Sequence, residues 1–287
     1  HTLTRRYSAE RDMIPKYLYK YRPINHLTFM SIINNYNWFS HPKSFNDPFD
    51  CQFDICDKEV SYDEYMNLYL HSKYGSKLPK EGTVLIEFPK GSIEHNQLTR
   101  EFREIALDFG QHVKKDVTER SVLSLSEKFD NTTMWSHYSD NHQGICLEFC
   151  PATLVGHAEG VLHKVKYLPA GKINFNAYEL YARCSNNRNF EQYKQIINEM
   201  VLTKSDDWEY ESEWRIVHAE VGPVGFYPEA LKGVYFGLRC GVEEKVAIRN
   251  ILFDRRMAFF QMRRKKSGFG IEAIPMSKDS IYWEQSP

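Results

Sequence analysis

The sequence lacks the features that mark several large classes of protein. No window approaches the roughly 18 consecutive apolar residues that a membrane span requires, and the start of the chain has no basic, apolar and small-residue signal pattern. It contains neither a Gly-x-Gly-x-x-Gly fingerprint nor a Walker-type loop, so nothing indicates a Rossmann or P-loop nucleotide site. These absences predict a soluble, cytoplasmic protein that does not contact a membrane.

Cysteines are few, and none forms a Cys-x-x-Cys pair. The closest pairs, Cys51 with Cys56 and Cys146 with Cys150, have spacings of five and four. In a chain of 287 residues without an export signal, we predict reduced thiols that act as small buried hydrophobic residues. Zinc is the alternative for the cysteines, and a hard cation held by the oxygens of Asn46–Asp50 is a second one. We predict no metal site.

Excess charge of one sign is also missing, because the formal net charge is −1. The chain therefore has no global attraction to nucleic acid or to an anionic membrane. One local exception is the basic run Arg263–Lys266, which follows Phe259 and Phe260. Contact with nucleic acid and a solvated helix face are both open interpretations of this run.

Strand and helix patterns are interspersed without a regular βαβ rhythm, which favours an α+β fold with a mixed central sheet. The alternation of apolar and polar residues predicts strands that include 17–22, 121–126, 144–149, 161–167, 213–219, 233–237 and 271–274. Helical spacing predicts helices over 26–35, 61–73, 94–116, 133–139, 175–204 (with a break near 185–187) and 242–251. We expect residues 1–12 to be an N-terminal tail and residues 13–287 to form one domain.

The strongest local signal is the segment Trp208–Arg215, which contains two glutamates two residues apart. At the entry of a strand, Glu211 and Glu213 would point to the same side of the backbone. Two carboxylates placed together divide the roles of charge stabiliser and proton acceptor, and flanking rings would shelter them from water. The alternative is a surface strand in which one glutamate pairs with Arg215.

A second group of polar residues surrounds a predicted strand and a short helix. Ser124 and Ser126 alternate on one face of the strand, and His137 and Tyr138 follow on the helix. The two rings have the chemistry to stack on, or to hydrogen-bond, a planar ligand. The alternative interpretation is that Tyr138 belongs to the core and that His137 is a satisfied surface group.

The third candidate is Arg22, at the end of the first predicted strand and directly before a helix. A guanidinium at this position suits bidentate binding of a phosphate or a carboxylate. A structural ion pair is the alternative.

The order of motifs along the chain resembles that of a bacterial family of domains of unknown function, some of whose relatives are associated with abortive-infection phage defence. The motifs are Y-K-Y-R, F-N-D-P-F-D, S-L-S-E, M-W-S-H-Y, G-I-C-L-E-F, W-E-Y-E-S-E-W-R and G-V-Y-F-G-L-R. More distantly, the layout resembles that of the ADP-ribosyltransferases, which have an Arg on the first strand, a later Ser-x-Ser and a still later Glu-x-Glu.

The second resemblance implies a substrate and a set of roles. The substrate would be NAD, with Glu213 at the ribose and Glu211 orienting or deprotonating the acceptor. Arg22 would hold the diphosphate, and Ser124 or Ser126 would position the nicotinamide ribose. The sequence departs from that pattern at Pro23, where transferases often have Gly, and at Leu125 within the Ser-x-Ser; Trp135 and His137 have no fixed place in it.

The resemblance therefore predicts an ADP-ribosyltransferase or NAD glycohydrolase, as a phage-defence or toxin effector, with a protein or nucleic-acid acceptor that the sequence does not identify. We expect Glu213 to face a cleft with Arg22 and His137, and Glu211 to lie nearer its rim. Two other classes stay open: a non-catalytic domain that senses a nucleotide or a phage component, and a nuclease that uses Asp47, Asp50 and His137.

Overall fold

The computed structural model of this chain describes residues 14–51, 53–56, 66, 91–158, 161–169, 175–185 and 190–285. The strands are β1 Leu18–Arg22, β2 Tyr36–Phe39, β3 Ile55–Cys56, β4 Ser121–Ser126, β5 Ile145–Phe149, β6 Leu162–Lys164, β7 Lys166–Leu168, β8 Phe175–Asn176, β9 Thr203–Ser205, β10 Glu213–His218, β11 Gly222–Gly225, β12 Leu231–Phe236, β13 Ala258–Arg264 and β14 Ile271–Pro275. The α-helices are α1 His26–Ile33, α2 Ile93–Thr118, α3 Thr132–Tyr138, α4 Pro151–Ala158, α5 Ala177–Ser185, α6 Phe190–Val201 and α7 Val242–Ile251.

The chain divides into two compact units. The first contains residues 1–40, 121–165 and 207–287, and the second contains residues 41–120 and 166–206. The chain therefore passes between the units more than once. The boundary that we predicted for a single domain, residues 13–287, stays a prediction.

An eight-stranded mixed sheet organises the first unit, in the order β14-β13-β12-β5-β1-β4-β10-β6. Neighbouring strands are antiparallel except β12 and β13, which are parallel and are connected through α7. The prediction of an α+β fold with a mixed central sheet is confirmed, and the strands predicted near residues 17–22, 121–126, 144–149 and 213–219 all lie in this one sheet.

Both faces of the sheet are covered, because apolar side chains occupy both sides of its central strands. All five residues of β5 are buried, as expected of a strand with packing on each side. One face, which we call the aliphatic face, carries Leu18, Leu123, Ile145 and Leu147 and packs against α1. The other, the tyrosine face, carries Tyr19, Tyr21, Cys146 and Tyr235, with Met134 and Trp135 of α3 packed on it.

Helix α1 shows how the sequence sets local structure in this unit. Asn25 is its N-cap, and its side chain accepts a hydrogen bond from the Thr28 N–H, as an N-cap asparagine does. Asn35, with φ of 54°, follows the end of the helix and turns the chain into β2. Strand β2 pairs with β11 in a separate two-stranded sheet.

The second unit has its own core, formed by helices α2 and α5 together with Met66. Phe102, Ala106, Ala177 and Tyr178 are buried there. The described part of this unit also contains helix α6 and two short parallel pairs, β3 with β8 and β7 with β9. The predicted break in the long helical stretch separates α5 from α6, whereas the helix predicted over 61–73 lies outside the described residues apart from Met66.

The basic run Arg263–Lys266 does not lie on a helix. Strand β13 ends at Arg264, and Phe259, Phe260 and Met262 are buried or half-buried along it. The interpretation as a solvated helix face is therefore wrong. Among the residues that the structure describes, no helix combines the length and the apolarity needed to cross a bilayer.

Candidate functional site

Strand register places one of the predicted glutamates on the tyrosine face. Residues paired across an antiparallel ladder point to the same face of the sheet. Tyr19 is opposite Ser126, and Ser126 is opposite Glu213. Ser124 is opposite Arg215 on the same strands. These side chains therefore share one face with α3, as the alternation of Ser124 and Ser126 predicted.

Glu213 forms a buried ion pair with Arg215, two residues further along β10. The Arg215 Nε donates to Glu213 Oε1 at 2.8 Å, and its Nη2 donates to Oε2 at 3.0 Å. Glu213 is 4% exposed and Arg215 is fully buried. The two-residue spacing puts both on one face, so the geometry is the bidentate one that makes such pairs strong. This arrangement is the ion pair that the sequence left open as an alternative, here in the interior instead of at the surface.

Glu211 lies outside the strand, because the backbone changes direction between the two glutamates. It is the last residue of a 3₁₀ helix over Asp206–Glu211, and Ser212 has φ of 46°. The expectation that Glu211 lies near a rim is not met, since it is 4% exposed, like Glu213. The Tyr138 hydroxyl donates to Glu211 Oε1 at 2.6 Å, so α3 holds this carboxylate on the tyrosine face.

Ser126 fixes the backbone beside this carboxylate. Its hydroxyl donates to the main-chain carbonyl of Glu211 at 2.6 Å and accepts from the Lys128 N–H at 3.0 Å. With both hydrogen bonds made inside the protein, Ser126 positions Glu211. It is buried, and both hydrogen bonds hold the backbone next to Glu211.

His137 is the exposed member of this group. Its ring lies edge-on to Tyr138 and to Tyr210, with centroid distances of 6.2 and 6.3 Å. The Tyr210 hydroxyl and His137 Nδ1 are 3.4 Å apart. Asn131, the N-cap of α3, donates to the Tyr210 carbonyl at 2.7 Å and so ties the helix to the Trp208–Arg215 segment. Tyr138 thus reaches Glu211 directly, whereas His137 contacts the rings of Tyr138 and Tyr210.

Lys20 is a residue of this region that sequence reasoning missed. Its Nζ donates to the Ser124 carbonyl at 2.8 Å, close to where β1 and β4 stop pairing after Tyr19 and Ser126. Burial, reinforced by the positive charge of Arg22, lowers the pKa of Lys20 to about 8, although Glu213 and Glu211 act in the opposite direction. The motif Y-K-Y-R contained this lysine, but its alternation indicated only a strand.

A lysine with this pKa is expected to react unusually early with amine reagents as the pH is raised. Deprotonation of the Lys20 amine with a midpoint near pH 8 makes it nucleophilic in that range. Pulse labelling with acetic anhydride, read by peptide mass spectrometry, measures the midpoint. Glu211→Gln should move it to lower pH, since a stabilising negative charge is lost, whereas Glu209→Gln, at an exposed position, should not. A midpoint for Lys20 equal to that of the exposed Lys43 would contradict the prediction.

Arg22 is not brought together with Glu213. It is three residues from Tyr19 along β1 and opposite Ile145, so the register puts it on the aliphatic face. Its Nη1 donates to the hydroxyl of Ser31 on α1 at 2.5 Å, and burial lowers the pKa of the guanidinium. The predicted cleft that combines Arg22, His137 and Glu213 is therefore absent from this arrangement.

A third buried carboxylate, Glu148 of β5, lies further along the tyrosine face. The hydroxyls of Tyr19 and Tyr235 both donate to its Oε2, at 3.1 and 2.7 Å. Burial and the nearby Glu148 raise the pKa of both tyrosines, so they remain donors. Rings surround this group, since Tyr235 stacks on Phe260 with a centroid distance of 4.4 Å. The motif G-I-C-L-E-F indicated the strand, but it did not indicate that Tyr19 and Tyr235 would donate to its glutamate.

The carboxylates of the nuclease and metal hypotheses, Asp47 and Asp50, lie in the second unit, whereas His137 of the nuclease hypothesis lies in the first. Asp50 forms a buried ion pair with Lys204, with 3.5 Å between Nζ and Oδ2, and Asp47 Oδ1 accepts from the Phe49 N–H. Within the described ranges, no three potential ligands gather in a way that would hold a metal ion. All six cysteines are free thiols.

The fold and site define an α+β protein with three buried carboxylates, Glu148, Glu211 and Glu213, on one face of a mixed sheet. Residues 134–216, from α3 to the middle of β10, match the model of a family described as "Protein of unknown function (DUF2971)". The matched range contains His137, Tyr138, Glu211, Glu213 and Arg215. Searches of curated proteins and of solved structures found no match.

Proposed function

We propose that this chain consumes NAD, as an ADP-ribosyltransferase or an NAD glycohydrolase, with its chemistry on the tyrosine face. The observation that carries the proposal is the pair of buried carboxylates: Arg215 holds Glu213, and Tyr138 holds Glu211. Charges in a site shielded from water act strongly on a transition state. The different partners give the two carboxylates different roles.

Breaking the nicotinamide–ribose bond leaves the bonding electrons on nicotinamide and positive charge on the ribose. We assign the stabilisation of that charge to Glu211, whose buried carboxylate accepts a hydrogen bond from the Tyr138 hydroxyl of α3. In Glu213 the charge is offset by the guanidinium of Arg215, so Glu213 is a positioning residue here. Water or an acceptor then bonds to the ribose carbon and loses a proton, and we assign the uptake of that proton to the exposed His137.

The biological setting in the proposal is a cytoplasmic phage-defence or toxin effector. Its support is the order of motifs along the chain, including Y-K-Y-R, M-W-S-H-Y and W-E-Y-E-S-E-W-R. The acceptor in this proposal is a protein or a nucleic acid, with water as the acceptor in hydrolysis.

The test is incubation of the purified protein with NAD, with and without added protein, RNA and DNA acceptors. We expect release of nicotinamide, quantified by mass spectrometry, together with free ADP-ribose or an ADP-ribose mass addition on one acceptor. Heat-denatured protein is the control for spontaneous hydrolysis. NAD that stays intact with every acceptor would refute the enzymatic proposal.

A non-catalytic binding or sensor domain is the second candidate, and two observations favour it. Glu213 is neutralised by a bidentate guanidinium, and Arg22 lies on the opposite face of the sheet from it. In this case titration calorimetry with NAD or another nucleotide would show binding without turnover. The same assay therefore separates the two candidates.

A further inference from the structure

A cavity of about 1010 Å³ lies beside the hairpin of β13 and β14, in the first unit. Arg263, Arg264 and Lys265 line it at the end of β13, and Arg239 lines it from the segment after β12. Small-ligand pockets typically have volumes of roughly 300–1,000 Å³. The cavity is therefore large enough for more than one unit of an extended, anionic ligand.

The charge of this cavity is almost uncompensated. None of its lining residues is acidic, and all of them lie in the described part of the chain. Arg263 donates to Glu272 at 2.9 Å, which offsets one cation. In the portion of the chain that the structure describes, Arg239, Arg264 and Lys265 form no ion pair, and all three are exposed. Three cations at a concave surface concentrate anions from solution.

Aromatic groups accompany these cations. Phe269, on the turn between β13 and β14, lines the cavity and is fully exposed. Its neighbours Gly268 and Gly270 have φ of 79° and 134°, conformations that glycine adopts readily. An exposed ring next to a cationic groove is the arrangement on which bases of a single strand stack.

His142 adds a polar group to the wall. Its ring is stacked on Trp135, with 6.3 Å between centroids and 8° between planes. Its Nδ1 is buried and has no hydrogen-bond partner among the described residues. Burial and the charge of Arg239 lower its pKa, which favours the neutral ring. Its Nε2 lies 3.2 Å from the Ser136 hydroxyl oxygen, so Ser136 and Trp135 together hold the ring in the wall of the cavity.

The loop that carries His142 is fixed by close backbone contacts. Asp140, Asn141 and His142 all have positive φ, between 46° and 69°, which is costly for residues other than glycine. A Cβ at Gly237 would come within 2.1 Å of the His142 carbonyl oxygen, and one at Gly144 within 2.1 Å of the Arg22 carbonyl oxygen. The two glycines therefore let this loop pack against the strand ends and hold His142 at the cavity.

We propose that this cavity binds a single strand of nucleic acid, with its phosphates at Arg239, Arg264 and Lys265 and a base against Phe269. A duplex does not fit this site. Its bases are stacked on one another and cannot stack on Phe269, and the concave wall of the cavity cannot enter a groove of the duplex. An anionic membrane is a poorer match, because a lipid surface is flat and the cationic groups line a cavity. This inference does not depend on the proposed NAD chemistry.

The test is fluorescence anisotropy with labelled uridine RNA and thymidine DNA strands about 12 nucleotides long, between about 50 and 200 mM salt. We expect at least one strand to bind, with an affinity that falls as salt rises. The triple variant Arg239→Gln, Arg264→Gln, Lys265→Gln should bind at least tenfold more weakly. The slope of its log affinity against log salt concentration should be smaller in magnitude by about two, since each lost phosphate contact removes roughly 0.7 from that slope.

Two further variants separate the roles of charge and stacking. Phe269→Ala should weaken binding by about 5- to 150-fold at an unchanged salt slope, the loss expected for one stacked base. Arg256→Gln, at an exposed arginine that does not line the cavity, should leave binding unchanged. Equal binding by the triple variant and the wild type would overturn the proposal. So would equal affinity for a duplex, or binding to phosphatidylserine vesicles and to neither strand.

Discussion

Replacing Glu213 by Gln is expected to destabilise the protein by about 3–5 kcal/mol, the range typical when one charge of a buried ion pair is removed. Arg215 is fully buried, and both of its hydrogen bonds to Glu213 end on the charged carboxylate. Glutamine keeps the volume and one carbonyl oxygen but removes the negative charge. The measurement is urea unfolding of the wild type and the variant, compared by their midpoints and slopes.

The matched control is removal of both charges. The double variant Glu213→Leu, Arg215→Met removes both charges of the pair and should recover most of the lost stability, as hydrophobic replacements of buried pairs often do. Glu209→Gln, at an exposed position in the same segment, should change stability by less than about 0.5 kcal/mol. Should Glu213→Gln stay within about 1 kcal/mol of the wild type and lose NAD consumption, the original assignment of Glu213 to the ribose would stand.

The sequence allowed the central strands of the sheet to be predicted because their side chains alternate clearly. Leu18, Ile145 and Leu147 point to one face, and Tyr19 and Cys146 to the other. Strand β13 was missed because basic residues at its end concealed the pattern. Its parallel pairing with β12 depends on the connection through α7, which local alternation does not encode.

The site was predicted in part, and the failures have a common cause. Two residues in one strand share a face, so Ser124, Ser126, Glu213 and Arg215 were placed correctly relative to their own strands. Whether Arg22 shares a face with them depends on the register of β1 against β4 and β5, which a single sequence does not contain.

The position of Glu211 was a local error of a different kind. Its predicted place in the strand assumed that alternation continued past Glu213, but Ser212 has a positive φ and Glu211 ends a 3₁₀ helix. A serine in this conformation is uncommon, and composition gives no warning of it. Both glutamates nevertheless lie on the same face. Glu211 accepts a hydrogen bond from Tyr138 of α3, and Glu213 points to this face from β10.

The loss of the Glu211 charge is the second change with a large expected effect, here on NAD consumption. Under the proposed function, Glu211→Gln is expected to lower NAD consumption by a factor on the order of 10²–10³, as when one electrostatic contact to a transition state is lost. The Tyr138 hydroxyl can still donate to the amide oxygen of a glutamine, so the buried hydrogen bond is conserved. The fold should therefore persist, unlike in Glu213→Gln, and the loss should appear in kcat more than in KM.

Two comparisons make the result specific to the charge at this position. Glu209→Gln removes an exposed carboxylate from the same 3₁₀ helix and should leave turnover unchanged. Tyr138→Phe keeps the carboxylate but removes its donor, so it should reduce turnover less than Glu211→Gln does and shift the pH profile of kcat. Nicotinamide release is followed by mass spectrometry, with thermal unfolding of each variant as the check on folding. A folded Glu211→Gln variant with full turnover would contradict the assignment, because the carboxylate charge would then have no part in the reaction.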